Sequence, residues 1–153
     1  MIEALSRANY NLYQSTTLLH AWRLLVADQV SSGEHINRTF APIIQAKLIE
    51  VYGWLIIAAC KIDYLPEHPP RSVNDLPDFP RDLVLSADLS YCESLEKEGW
   101  IADLLKPLPK YLVPRQAGNL AVESTMPSIK CMSDWGEKLR QLSKRLTENS
   151  DEC

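Results

Sequence analysis

Apolar residues recur with a helical period over most of this chain. In the first segment a leucine or valine stands at every seventh position, at Leu5, Leu12, Leu19 and Val26. The alternate positions of this seam are Ala8, Ser15 and Trp22. A seam of this kind is typical of a long bundle helix. The pattern predicts a first helix over residues 2–29, followed by a turn at residues 31–33.

The second helical pattern is apolar on more than one side. It is predicted to run from Thr39, as N-cap, to residue 64, with Pro42 in the first turn. One face has a 4-3-4-3-4 spacing, at Ile44, Leu48, Val51, Leu55, Ala58 and Ile62. The opposite face carries small residues seven apart, at Ala46, Gly53 and Cys60. An amphipathic surface helix needs only one apolar stripe, so this helix is predicted to be covered on several sides.

Two shorter helices are predicted in the second half of the chain. Ser90 and Glu93 fit a capping box, which predicts a third helix over residues 91–105, weakened in its middle by Gly99. A fourth helix is predicted over residues 127–147. Its apolar face is formed by Cys131, Trp135, Leu139, Leu142 and Leu146. The polar residues 148–153 are predicted to be a frayed tail.

Clustered prolines separate these helices. Five of them, at positions 66, 69, 70, 77 and 80, exclude regular helix until about residue 81, apart from a short helical turn at Val73–Asp75 after Ser72. A second proline-rich connection runs from Pro107 to about residue 126. We therefore predict an all-α chain, a four-helix antiparallel bundle with two proline-rich connections, in one domain over residues 1–147.

Composition and charge narrow the class of protein. The 153 residues are 46% hydrophobic and 24% charged, close to the average for a globular domain. The net charge of -4 argues against sequence-independent nucleic-acid binding, which needs a basic surface. The longest apolar run is far shorter than the ~20 residues of a membrane span, and the N-terminus lacks a signal-peptide pattern. We expect a cytoplasmic protein that does not enter a membrane.

The sequence offers no motif for catalysis or for a cofactor. The three histidines, His20, His35 and His68, form no ExxH pair, which argues against a di-metal centre. No GxSxG nucleophile and no glycine-rich phosphate loop is present. The four cysteines lack metal-binding spacing; they are Cys60, Cys92, Cys131 and Cys153. We predict no metal, no cofactor and no enzymatic site.

The small-residue face of the second helix gives the main functional prediction. If the other helices cover the spine from Ile44 to Ile62, this face still needs cover. Either the proline-rich connections or a second copy of the chain could supply it, since two-fold homodimers are common. The candidate interface residues are Gly53, Trp54, Ile56, Ile57 and Cys60. The leading interpretation is a non-enzymatic helical interaction protein that binds another protein or forms a homodimer.

Two other functions stay open. One is a small-molecule-binding bundle with an apolar pocket lined by Trp22, Trp54 or Trp100. The other is a degenerate nucleic-acid-processing bundle of the toxin–antitoxin kind. In addition, residues 66–71 match the PxxPxR form of peptides that SH3-type domains bind, but a rigid linker packed on its own domain is the favoured interpretation of this segment.

The order of aromatic and leucine-rich segments resembles a family of uncharacterised bacterial helical proteins. The resemblance rests on YNLY at 10–13, LLHAW at 18–22, VYGW at 51–54, GWI at 99–101 and Trp135. The family is a domain of unknown function, so the resemblance implies a helical bundle and a bacterial origin and transfers no site residue. The layout is also similar to HEPN helical bundles, whose active members carry an arginine four to six residues before a histidine. That pair is absent here.

Overall fold

The structure is a computed structural model that describes residues 1–29, 31–62, 65–76, 86–108 and 126–151. In these ranges every regular element is helical, which confirms the all-α prediction. The elements are α1 (Ile2–Asp28), α2 (Gly33–Ala59), a 3₁₀ turn (Val73–Asp75), α3 (Ala87–Glu98), α4 (Trp100–Leu104) and α5 (Ile129–Asp151). The described part of the chain therefore has five α-helices where four were predicted.

Helices α1 and α2 form an antiparallel hairpin. Near the turn, the Trp22 ring stacks on Phe40 at 6.1 Å between centroids, and its Nε1 donates a hydrogen bond to Asn37 Oδ1 at 2.9 Å. At the other end, the Arg7 guanidinium lies 4.8 Å from the centre of the Trp54 ring. The buried face of α1 includes the small residues Ala4, Ala8 and Ser15, which allow a close approach of the two helix axes.

The predicted start and end of α2 are wrong. The helix begins at Gly33, because the Ser32 hydroxyl accepts a hydrogen bond from the His35 N–H at 3.2 Å and acts as the N-cap. Thr39 therefore lies inside the helix, where its hydroxyl bonds back to the His35 carbonyl at 2.9 Å. Pro42 lies in the helix interior rather than in the first turn. The helix ends at Ala59, and Lys61 follows in a left-handed conformation with φ of 53°.

The helix predicted over residues 91–105 is two helices. Helix α3 starts upstream of the predicted capping box, because the Ser86 hydroxyl, rather than Ser90, caps it by accepting the Leu89 N–H at 3.2 Å. Gly99 then adopts an extended conformation and separates α3 from α4. A Cβ atom at Gly99 would lie only 2.8 Å from the Leu95 Cα, so the backbone leaves no room for a side chain at this position.

Helix α5 extends past its predicted end. It begins at Ile129, where the Ser128 hydroxyl accepts the Cys131 N–H at 3.1 Å, and continues to Asp151. Residues 148–151 are thus helical rather than frayed, and residues 152–153 lie outside the described ranges. Contacts explain the extension: Asn149 donates to Asp88 on α3 at 2.8 Å, and Lys144 lies 3.7 Å from Glu148 one turn away.

Helix α2 is the central element, because it contacts each of the other α-helices. Gly136 of α5 faces Leu12 and Leu48. A Cβ atom added at Gly136 would lie 3.9 Å from a methyl carbon of each leucine. On the other side, the Gln45 amide donates to two backbone carbonyls at the end of α4, Leu104 at 2.9 Å and Lys106 at 2.8 Å. This buried side chain satisfies carbonyl groups that the short helix leaves free.

Candidate functional site

The chain itself covers the small-residue face of α2 at Gly53, whereas Ala46 on the same face is exposed and Cys60 is half-buried. A Cβ atom on Gly53 would lie 2.2 Å from the Pro70 carbonyl oxygen and 2.8 Å from the Pro69 Cβ. The segment 65–76 therefore crosses α2 in direct contact at Gly53, which explains a glycine in the middle of this helix. This is the contact expected of a rigid linker that packs on its own domain. Of the two covers proposed from the sequence, a proline-rich connection or a second copy of the chain, the proline-rich connection is the one that contacts Gly53.

The predicted interface residues lie together but inside the fold. Trp54, Ile56 and Ile57 are 4%, 0% and 2% exposed, Gly53 is buried and Cys60 is half-buried. The chain covers four of these five residues with its own atoms, so the reason for expecting a partner on this face is removed. Whether the chain forms a homodimer, and through which surface, stays a prediction.

One carboxylate oxygen links the covering segment to both α2 and α3. Glu96 Oε1 on α3 accepts hydrogen bonds from the Tyr52 hydroxyl at 2.7 Å and from the Val73 N–H at 2.8 Å. Within the 3₁₀ turn, Ser72 and Asp75 form a capping box, which confirms the helical turn predicted there. Glu96 thus joins α2, α3 and the 3₁₀ turn. Sequence analysis missed this group because the apolar periodicity of α2 says nothing about the partner of the Tyr52 hydroxyl.

Burial suppresses the ionisation of Tyr52 and of nearby cysteines. Burial is the main cause that raises the pKa of Tyr52 above its usual range, and Cys92 and Glu96 raise this pKa further. Burial, with the negative charges of Glu96 and Asp88, raises the pKa of Cys92 to about 12. Burial also raises the pKa of Cys60 to about 11. These thiols stay protonated at neutral pH, so they lack the thiolate character that a nucleophilic cysteine needs.

We expect the free energy of unfolding to fall as the pH rises from about 9 towards 12. Below the usual thiol pKa of 9.0, Cys92 is protonated in both the folded and the unfolded chain. Above it, the unfolded chain releases the proton while the folded chain holds it, which favours unfolding by on the order of 1 kcal/mol per pH unit. Urea titrations at pH 8, 10 and 11 measure this slope, and Cys92→Ala should reduce it. Equal stability from pH 8 to pH 11 would contradict the expectation.

A shallow groove lies between the α3–α4 pair and α5, with a volume of about 330 Å³. The Arg145 guanidinium is 3.9 Å from the Tyr91 ring centre, and Lys138 is 5.8 Å from that of Trp100. Arg145 also lies 3.8 Å from the Asp88 carboxylate. The groove is at the lower end of ligand-pocket volumes, ~300–1,000 Å³. Both cations already have partners within the chain, so the groove gives only limited support to a ligand site.

The described residues can be compared with two other kinds of site, a metal centre and a membrane span. Within the described ranges, no three His, Cys, Asp or Glu residues lie close enough together to hold a metal ion. Helix α2 alone among the described helices is long and apolar enough to cross a bilayer, with a mean hydropathy of 1.4 over its best window. Of that window, 61% is buried inside the fold, as in the core helix of a globular domain. Length and composition are therefore weak evidence for a membrane span here.

Among the described residues, several exposed large apolar side chains lie on α1, opposite its buried face. We call this surface the outer α1 face; its residues are Ile2, Ser6, Asn9, Tyr10, Tyr13, Thr17, His20 and Leu24, all exposed. Ile2 is 81% exposed, Tyr10 63%, Tyr13 71% and Leu24 51%. None of the eight is an acid, a lysine or an arginine. Sequence analysis missed this surface, although Ile2, Tyr13 and Leu24 recur every eleven residues.

Comparisons of the chain with models of known protein families, with curated proteins and with solved structures find no match. The resemblance to a bacterial helical family and to HEPN bundles stays a prediction. The function must therefore be argued from the geometry of the described residues.

Proposed function

We propose that this protein is a non-enzymatic helical interaction protein that binds a protein partner through the outer α1 face. The observation that carries the proposal is the exposure of Tyr10, Tyr13, Ile2 and Leu24 on a face without a formal charge. Tyrosine is enriched and charged residues are depleted at the centres of protein interfaces.

The fold supports a docking role for α1. We propose that the helices form one antiparallel four-helix bundle in a single domain, with α3 and α4 together in the place of the third helix. Among the described elements α1 contacts α2 and α5, and the residues of its outer face are exposed. The proposal also takes over the expected cytoplasmic location and bacterial origin.

The charges of α1 favour a protein partner over a lipid bilayer or a nucleic acid. Helices that lie on membranes are rich in lysine and arginine on their polar side. Helix α1 has two arginines, Arg7 and Arg23, balanced by Glu3 and Asp28, and Arg7 lies 3.1 Å from Glu3. The outer α1 face itself carries no lysine or arginine that could bind a phosphate.

Site-specific photo-crosslinking in the native cell tests this proposal. The photo-reactive residue p-benzoylphenylalanine would replace Tyr13, which is largely exposed, so the core is left intact. We expect adducts of higher mass from position 13. The matched control is the same residue in place of Glu137 on α5, whose side chain is 55% exposed, and it should give none. If position 13 gives no adduct in cells or in the purified protein, the proposal is wrong.

A further inference from the structure

We infer that the occupant of the outer α1 face is a second copy of this chain, packed antiparallel about a two-fold axis at Tyr13. The inference rests on the proposed function, because it names the partner of the same face. It starts from the central row of that face: Ile2, Ser6, Asn9, Tyr13, Thr17, His20 and Leu24. The steps along this row are 4, 3, 4, 4, 3 and 4 residues, a spacing that is the same from either end.

The chemistry of the row is as symmetric as its spacing. In an antiparallel pair centred on Tyr13, each residue meets the one at the same distance on the other side of the centre. Ile2 then meets the partner subunit's Leu24, Ser6 meets the partner subunit's His20, and Asn9 meets the partner subunit's Thr17. Apolar residues face apolar residues and polar residues face polar residues. This self-complementarity is what a two-fold interface requires, because the same patch serves both subunits.

The period of the row keeps it on one line of the helix. Ile2, Tyr13 and Leu24 are eleven residues apart, which is three turns of about 3.67 residues. This period is close to that of a straight α-helix, so two such helices stay in contact from end to end. The paired length from Ile2 to Leu24 is about 33 Å at 1.5 Å per residue.

The absence of charge in the central row permits a second copy as the partner. Each chain carries a net charge of -4, so two copies repel each other in general. Across a two-fold axis, a charged residue near the centre would meet its own equivalent. The central row contains no acid, lysine or arginine, so two copies meet there without this cost.

The exposed tyrosines supply about a third of the area of a standard interface. At 63% and 71% exposure and roughly 200 Å² each, Tyr10 and Tyr13 offer about 270 Å² per chain. A standard interface buries about 800 Å² per partner. Ile2 at 81% and Leu24 at 51% exposure enlarge this area. The polar residues of the outer α1 face and the exposed residues that flank it on α1 supply the rest of the area that two copies bury.

The solution mass of the purified protein tests the pairing. We expect about 35 kDa, twice the 17.4 kDa of one chain. Tyr13→Glu places two negative charges together at the axis and should raise the dimer dissociation constant about a hundredfold or more. Tyr13→Phe should remain dimeric. Gln141→Glu on α5 adds the same net charge away from the axis and should not change the mass, and circular dichroism of each variant confirms that it is folded.

Disulfide trapping tests the antiparallel register. Ile2→Cys and Leu24→Cys chains are mixed in equal amounts and oxidised, after three native cysteines have been replaced by alanine, at Cys60, Cys131 and Cys153. Buried Cys92 is kept. We expect a disulfide between positions 2 and 24 in the mixture. Neither variant alone should form one, because its two copies would lie about 33 Å apart. A disulfide between two copies of position 2 overturns the antiparallel arrangement.

The remaining outcomes separate this inference from the proposed function. A wild-type mass of one chain at high protein concentration overturns the inference. If position 13 then crosslinks to a different protein in cells, the proposed function stands and only the second copy is wrong. If the monomer instead co-sediments with vesicles of neutral and anionic phospholipid, and Tyr13→Glu abolishes this, a membrane occupies the face and both are wrong.

Discussion

Gly53→Ala is expected to destabilise the protein by about 2–3 kcal/mol, as overpacked sites do. In the interior of an exposed helix the same change stabilises by up to ~1 kcal/mol, because glycine has the lower helix propensity. At position 53 the new methyl carbon would lie 2.2 Å from the Pro70 carbonyl oxygen and 2.8 Å from the Pro69 Cβ. Neither atom is the end of a flexible side chain, so the segment 65–76 must move away from α2.

Thermal denaturation measures this effect, which corresponds to a melting temperature about 5–10 °C lower. Gly136→Ala on α5 is the matched control, because its Cβ would meet only the Leu12 and Leu48 methyl groups, at 3.9 Å. This control should be neutral or slightly more stable than the native chain. If the two alanine variants melt at the same temperature, the contact between α2 and the proline-rich segment is not as described here.

Glu96→Ala is expected to cost about 3 kcal/mol. It removes the oxygen that accepts hydrogen bonds from the Tyr52 hydroxyl and the Val73 N–H, and hydrogen bonds to charged groups are worth about 1.5–3 kcal/mol each. Glu96→Gln keeps an acceptor oxygen and should cost less. Urea denaturation gives the free energies, and hydrogen exchange at the Val73 amide should accelerate in the alanine variant.

The neighbouring Glu93→Ala is the control for Glu96→Ala. Glu93 is on the same helix and its carboxylate lies 2.9 Å from the ammonium group of Lys97, in a largely exposed ion pair. Such pairs contribute about 0–1 kcal/mol. A double-mutant cycle with Tyr52→Phe then isolates the coupling between Tyr52 and Glu96. Equal losses in the two alanine variants would show that Glu96 does not hold the segment.

Helix type was predictable from the sequence, but the buried side of α1 was only partly so. The seven-residue seam correctly includes Leu12 and Leu19, whereas Leu5 is only half-buried and Val26 is 38% exposed. The alternate positions of the seam, Ala8, Ser15 and Trp22, are also buried, so the prediction is right at five of its seven positions. The two misses are near the ends of the helix, which agrees with the drift of ~20° per heptad of a seven-residue repeat on a straight helix. The outer α1 face is hard to see in a sequence read for heptads.

Helix ends were the least predictable feature. Thr39 and Ser90 are good capping residues by type, yet Ser32 and Ser86 cap the helices. The choice depends on backbone geometry at each hydroxyl, which residue type does not determine. Within residues 33–39 only Ile36 is apolar, so the apolar period is too weak there to mark the earlier start from the sequence.

The need to cover the second face of α2 was predictable, but the identity of the cover was not. Periodicity shows that Gly53 and its neighbours are too apolar for a solvent-facing side. It does not show which distant segment comes back to them, because that depends on contacts such as Gly53 with Pro70 and Val73 with Glu96. The 3₁₀ turn was predictable because its capping box is local, within Ser72–Asp75.

The central position of α2 has a consequence for the synthesis of the chain. Helix α2 is complete at Ala59, but α5, which packs against it, is complete only at Asp151. At ~5–20 residues per second, roughly 5–20 s pass between these two points. During this interval α2, which is the most apolar of the described helices, is part of an unfinished chain and cannot yet pack against α5. It is the segment that a chaperone would need to shield while the chain is unfinished.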